Sequence, residues 1–404
     1  MLHEALIAQA RDIADRITGL RRAIHAEPEL GLHTPKTRDK VRAALAHLPL
    51  TWREGPSTTG LVATLAGEGG EGASVLLRGD MDALPMPEET GLAFASTIPG
   101  VMHACGHDAH VAMLAGAAEL LCARRATLKG EVRFMFQPGE EGHHGARFML
   151  RDGLLDPLPD AAFALHVMPN APHGLVGGRA GPLLAAADQI EIMVSGRGGH
   201  ASMPHDTLDP VPVACEIVSA IQTMVARRYS VFDPVVVTIA KIASGTAHNV
   251  IPDSARMTGT MRTLSAASRA RLKDELPLLA AGIAGAHGLS AETTIMEGFP
   301  VTVCDARAVD FGEAVARDMF GDQAFLRLAD PIMGAEDFAY VLEKLPGAMF
   351  FLGVSHQGDD WRQCCGIHST RMMVDETVMP MGAAYLAGLA ESYLARGFAP
   401  NLQG

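Results

Sequence analysis

The sequence predicts an α/β fold, with a mostly parallel sheet in a larger domain and a smaller α+β domain inserted into it. Three observations predict this. Short β-type runs alternate with helical runs through the first 180 or so residues, and polar groups gather just past the ends of those runs, as at the crevice of an open parallel sheet. Between about Asp188 and Glu297 the order changes to β-α-β-β-α-β, that of a ferredoxin-like sandwich. Helix and strand alternation then resumes.

Ala5 to about Ile24 has helical spacing, broken by Pro28 and Gly31, and Lys36 to Leu48 reads as a second helix. A β-type run, Ser74-Val-Leu-Leu77, leads into Arg78-Gly-Asp-Met-Asp-Ala-Leu-Pro85, so Asp80 and Asp82 stand where it ends. From His107 to Arg124, the residues Val111, Leu114, Ala115, Ala118, Leu121 and Cys122 recur at the spacing of one buried helix face. Glu131 to Gln137 places Val132, Phe134 and Phe136 on one side of a strand, which Pro138-Gly139 stops just before Glu140 and Glu141. Ala161 to Leu165 delivers His166 at its end.

In the insert, Ile190, Ile192 and Val194 alternate along Gln189–Ser195, and a helix from about Pro210 to Arg228 carries Ile217, Ile221, Met224 and Val225. Strands follow at Val235–Ala243 and Ala255–Thr263, then a helix from Ala266 to about His287 and a strand at Ala291–Met296. Helices at Ala308–Phe320, Glu336–Leu345 and Val378–Leu394 and a buried strand at Ala348–Val354 complete the first sheet, with His368 in the loop after that strand. The boundaries expected are 1–184 with 298–404 for the larger, discontinuous domain and 185–297 for the insert.

A hydrophobic content of 48% with 20% charged residues describes a folded globular chain of 404 residues. The net charge of -13 and the lack of a dense Lys/Arg cluster make nucleic acid a poor partner. The charged N-terminal stretch reads as a helix and not as a secretory signal, and no apolar run approaches the roughly eighteen residues of a bilayer span. Six cysteines, two of them adjacent, suggest reduced thiols and a cytoplasmic location.

Cys105 and His107 flank a glycine at a helix start, where thiolate and imidazole suit a borderline-soft divalent ion. The alternative is a packed thiol beside a capping residue. Collected with Asp80, Asp82, Glu140, Glu141, His166 and His368, the pair supplies about the N, O and S donors that two neighbouring ions need. Adjacent Glu140 and Glu141 are either a solvated acidic turn or a divided pair, one binding metal while the other moves a proton.

The ordered set of motifs resembles a known family. It comprises His25-Ala-Glu-Pro-Glu-Leu30, Arg78 to Pro85, His103-Ala-Cys-Gly-His-Asp108, Gln137-Pro-Gly-Glu-Glu141, Leu165-His166, Gly198-Gly-His-Ala-Ser202, Asn249-Val-Ile-Pro-Asp253, Gly334-Ala-Glu-Asp-Phe338 and Gly366-Ile-His-Ser369. The chain is similar to co-catalytic zinc metallopeptidases of the aminoacylase and carboxypeptidase G type. Within them it resembles the amidohydrolase subgroup of hippurate hydrolases and indole-acetyl-amino-acid hydrolases.

The resemblance implies a metal-dependent amidohydrolase that cleaves N-acyl amino acids, with a dipeptidase or a diamino-acid deacylase as the nearest alternative and a non-catalytic small-molecule-binding homologue as a more distant one. It implies two divalent ions per subunit, zinc first with manganese, cobalt or nickel as options, held by Cys105, His107, Glu141, His166 and His368. Glu140 would be the general base and acid, and Asp82 a carboxylate that orients a ligand. Asp80 stands where relatives carry a histidine ligand, which leaves open whether it binds metal and which donor bridges the ions. The insert would serve as dimerisation and lid domain in a homodimer or higher homo-oligomer, its His200 reaching the partner's site to stabilise an oxyanion. From the residues alone His200 could equally be a loop histidine beside a bulge. Asn249 and Arg262 would hold the carboxylate of a small-molecule substrate, though a strand arginine can also be only a solvated face. His103 and His110 are read as structural, bonded near the helix start and to backbone, and His143 and His144 as surface residues. Cys365 is left out of the metal set.

Overall fold

In the computed structural model, which describes residues 2–398, helices α1 (Leu2–Asp12) and α2 (Ala14–His25) replace the single helix expected, separated by Ile13 at φ -101° and ψ 8°. Proline opens α3 (Pro35–Leu45), a position where its missing N–H is no loss. Strands β1 (Thr51–Glu54) and β2 (Leu61–Ala66) had no counterpart in the sequence reading. Then follow β3 (Ser74–Asp80), α4 (His107–Ala123), β4 (Glu131–Gln137), α5 (Gly145–Arg151), β5 (Ala161–Met168) and β6 (Val176–Gly178).

The chain passes through β7 (Gly181–Leu184) into a second unit, Leu184–Thr302 with Pro331–Glu336. Its elements are β8 (Ala186–Ser195), β9 (Gly199–His200), α6 (Pro210–Arg228), β10 (Val235–Ser244), β11 (Val250–Ile251), β12 (Ser254–Thr263), α7 (Ala266–Ala286) and β13 (Ser290–Met296). An antiparallel sheet in the order β10-β12-β8-β13 carries the β-α-β-β-α-β pattern expected, and β9 and β11 form a separate ribbon. Ile190, Ile192 and Val194 on β8 bury themselves with Ile217 and Ile221 of α6 and Leu272 and Leu276 of α7. Each such side chain contributes about 2 kcal/mol on removal from water.

The first unit resumes with β14 (Thr302–Cys304), α8 (Ala306–Phe320), β15 (Phe325–Arg327), α9 (Ala339–Leu342), β16 (Gly347–Gly353) and α10 (Met379–Arg396). Helix α9 is shorter than the Glu336–Leu345 expected because Asp337 turns inward to accept buried hydrogen bonds. The large sheet runs β1-β2-β4-β3-β5-β16-β6-β15. Pairings β3–β4, β3–β5, β5–β16 and β6–β15 are parallel, whereas β1–β2, β2–β4 and β6–β16 are antiparallel. The C-terminal ends of β3, β4, β5 and β16 therefore share one edge, where an open α/β sheet places its ligands. Helix α4 is buried on nearly every side, not on one stripe, because α2 and α10 cover the face turned away from the sheet.

Behind α4, His25 is held between two carboxylates, Nδ1 at 2.8 Å from Asp108 and Nε2 at 3.1 Å from Glu88. Burial works to lower its pKa, but Asp108 and Glu88 prevail and raise it from 6.5 to about 9. A raised folded-state value stabilises the fold fully below the unfolded value and loses that contribution as pH climbs through the folded one. Urea midpoints of the parent should therefore fall from about pH 6.5 to about 9 more steeply than those of His25→Gln. Equal slopes would mean that His25 carries no charge in the fold.

Candidate metal centre

The sheet edge and the start of α4 bring one cluster together. Gly106 precedes α4 at φ 83°, and a side chain there would put its Cβ 2.4 Å from Val167 Cγ2, so the Cys-Gly-His spacing depends on glycine. Cys105 Sγ lies 3.4 Å from His166 Nε2. Donor atoms of Cys105, His107 and His166 all fall within 4.8 Å of one another, as do those of Cys105, Glu141 and His368 and those of His107, Glu140 and Glu141. Cys105 belongs to two of these groups.

Hydrogen bonds set the imidazoles. His107 Nδ1 donates to the Asp82 carbonyl at 2.8 Å and His166 Nδ1 to the Val167 carbonyl at 2.7 Å, which turns both Nε2 atoms toward the cluster. His368, within the long loop between β16 and α10, adopts φ 63° and is tied by its amide to the Ala104 carbonyl at 2.7 Å. A non-glycine residue in that region costs about 1–2 kcal/mol and persists only where its surroundings hold it. Its Nε2 stands 3.2 Å from Glu141 Oε1.

Asp82 acts in two ways. Its carboxylate accepts the Glu140 and Glu141 amides at 2.9 and 3.0 Å and so fixes the acidic pair, while its carbonyl accepts His107 Nδ1 and its carboxylate stands 3.6 Å from that nitrogen. Asp80 is committed on both oxygens, to His110 Nδ1 at 2.6 Å and to Arg78 Nη1 at 2.7 Å, and sits 3.3 Å from His107 Nε2. His110 accepts the Val167 amide on its other nitrogen at 2.9 Å, so it links Asp80 to β5. His103 departs from expectation, since both its ring nitrogens are buried without a hydrogen-bond partner among the described residues. Burial drives its pKa down to about 3. His144 is half-buried and bonds the Tyr340 hydroxyl at 2.9 Å, unlike exposed His143.

The cluster fits a cation. Buried His107 Nε2 and Glu141 Oε1 make no hydrogen bond of good geometry among the described residues, although Asp80 stands 3.3 Å from the first and His368 3.2 Å from the second, and a metal ion would relieve a penalty of about 1–3 kcal/mol for each such atom. Although burial opposes it, Asp80 and Cys105 hold the His107 pKa well above its usual value, and the adjacent Cys105 and Glu141, as acceptors, raise that of His368 to about 10. A site that retains protons so strongly attracts positive charge. Burial instead pushes His166 well below its usual value, leaving the neutral imidazole that ligation requires.

In the second unit, His200 is exposed on β9, opposite Val250 of β11, and the Ala201 amide bonds the Asn249 carbonyl at 3.1 Å. His200 and Asn249 are thus neighbours on one ribbon. Arg262 lies on β12 and gives one hydrogen bond to the Met333 carbonyl at 3.2 Å. The sequence reading assigned no role to Arg78, Gln137 or Asp337, although each lies inside a quoted motif. They form the buried network behind Asp80 and β4.

The signature of peptidase family M20/M25/M40 extends over residues 76–392. The chain belongs to this family. It is 38% identical over 398 residues to thermostable carboxypeptidase 1 of Saccharolobus solfataricus, covering 97% of this chain and 99% of that one. It is also 38% identical over 377 residues to N-acetylcysteine deacetylase of Bacillus subtilis, covering 93% and 96%. Among solved structures, a dinuclear metal-binding peptidase of the M20 family from Bacillus subtilis superposes with a TM-score of 0.82 at 34% identity, over 95% of this chain and 99% of that one. This M20/M25/M40 member thus shares both sequence and fold with its relatives along almost its whole length.

Proposed function

We propose that this M20/M25/M40 chain hydrolyses the amide bond of N-acyl amino acids, with Cys105, His107, Glu141, His166 and His368 holding two divalent ions. The observation that carries the reading is the pair of donor groups hinged on Cys105, one with His107 and His166 and the other with Glu141 and His368. Cys105 belongs to both groups, so each ion would have the thiol within reach. Mixed thiolate, imidazole and carboxylate donors suit zinc first, with manganese, cobalt or nickel as alternatives. When bound, the ions polarise the acyl carbonyl and acidify water.

The residues do the rest. Buried Glu140 has a carboxylate oxygen within 4.8 Å of donors on His107 and Glu141, close enough to take a proton from the attacking water and pass it to the departing nitrogen. Asp82 holds the Glu140 amide in place. His200, Asn249 and Arg262 are assigned to the oxyanion and to the substrate carboxylate, and the 185–297 insert to dimerisation. In support of a second copy, β10 is an edge strand, and Val231 and Phe232 before it are 82% and 95% exposed. Six free cysteines favour a reducing cytoplasm.

The test is a substrate panel of hippurate-like and N-acetyl amino acids beside dipeptides and longer peptides. The carboxypeptidase relative motivates a second reading, release of a C-terminal residue from peptides, and faster turnover of the peptides would favour it. Stripping the metal with a chelator should abolish turnover, and adding zinc should restore it with about two ions per chain. The thermal midpoint should rise on reloading, since a ligand at about 100 times its Kd adds about 2.7 kcal/mol. Full activity in the stripped protein, ended by thiol alkylation, would point instead to Cys105 as a nucleophile.

A further inference from the structure

Asp337 comes from a distant part of the first unit, yet its carboxylate, fully buried, grips both ends of one turn. Gln137, the last residue of β4, donates Nε2 to Oδ1 at 2.7 Å and lies 2.9 Å from Oδ2. Ala146, the second residue of α5, donates its amide to Oδ2 at 2.9 Å. Between those two points runs the turn 138–145 with Glu140 and Glu141 at its centre. Its neck is drawn tight, because Gly145 donates to the Gly139 carbonyl at 2.9 Å and a Cβ on Gly145 would fall 1.7 Å from the Pro138 carbonyl oxygen.

The same carboxylate is charge-paired with Arg78, Nη2 to Oδ1 at 3.1 Å, and Arg78 also bonds Gln137 Oε1 at 2.9 Å and Asp80 Oδ2 at 2.7 Å. One buried chain therefore couples the strand end behind His107 to the turn that holds the acidic pair. Among groups this buried, such charge-assisted bonds are strong and directional.

We propose that Asp337 is a positioning residue, whose buried carboxylate clamps both ends of the 138–145 turn and sets where Glu140 and Glu141 stand. Its catalytic consequence rests on the functional reading above, whereas the clamp itself does not. Asp337→Asn keeps the size of the side chain but removes the charge and one acceptor. In the metal-loaded protein it should lower kcat about 10²-fold with KM within about threefold, as expected of a displaced reacting group. Gln137→Met should lower kcat about tenfold, and the double variant should be no worse than Asp337→Asn, because the two act through one contact.

Hydrogen exchange supplies the readout that a general packing defect would not give. Amides from 139 to 146 should exchange faster in both variants, while those of α4 keep parental rates. Should Asp337→Asn fail to fold, Gln137→Met decides by the same two measurements. Parental exchange across the turn, additive kcat losses, or loosening spread equally into α4 would overturn the proposal. A parent protein inactive on every amide substrate would sink the functional reading alone, with the exchange rates still judging the clamp.

Discussion

Glu140→Gln is expected to leave the fold and the bound metal intact and to lower kcat on N-acyl amino acids by about 10³-fold, within the range that a positioned general acid–base supplies. The substitution preserves the shape of the side chain and the Glu140 main-chain amide, which bonds Asp82, so neither the turn nor Glu141 has reason to move. Only the capacity to take and return a proton disappears. Metal content measured by atomic emission should match the parent, and KM should change little because the ground-state contacts remain. If the glutamine variant turns over at the parental rate, the proton is carried by another group and the assignment of Glu140 fails. If metal is lost with activity, Glu140 is a ligand and the division of labour between the two glutamates is reversed.

The acidic pair was legible in the sequence because its context was unusual, two carboxylates directly after a buried strand and a Pro-Gly break. The same logic exposed Cys105, His107 and His166, each placed at a strand or helix end where side chains reach a common edge. Alternation along β8 announced the second unit just as plainly, since Ile190, Ile192 and Val194 face one core. What stayed hidden depends on partners distant in sequence. Asp337 lies in a stretch with helical composition, and nothing local reveals that its carboxylate turns toward Arg78 and Gln137. Strand β2, Leu-Val-Ala-Thr-Leu-Ala, is buried on both faces over most of its length and so shows no period of two. Helix α4 looked amphipathic, yet its alanines and Gly116 let α2 and α10 close over the second face. His103 and His110 are alike in sequence, but only His110 found partners on both nitrogens.

Mixing His200→Ala with Glu140→Gln, each inactive alone, is expected to restore about a quarter of the parental activity once subunits have exchanged. In a symmetric dimer about half the mixed population is hybrid, and a histidine donated across the interface completes one of its two sites. The chemistry of His200 supports such a role. Its Nδ1 accepts the Ser202 amide at 3.1 Å, which leaves the proton on Nε2, and the ring is exposed on a short ribbon instead of packed into a core. A donor held in that tautomer is suited to the negative oxygen that develops during amide cleavage, a contact worth about 10²–10³ in turnover elsewhere. Complementation separates two arrangements that a single substitution cannot. If His200 serves the site of its own chain, a hybrid contains one site without the histidine and one without the base, and the mixture stays inactive. Proof of exchange is therefore part of the experiment, for instance by native mass spectrometry of differently tagged chains. Recovery locates the histidine in the partner's site, whereas a silent mixture with proven hybrids confines it to its own.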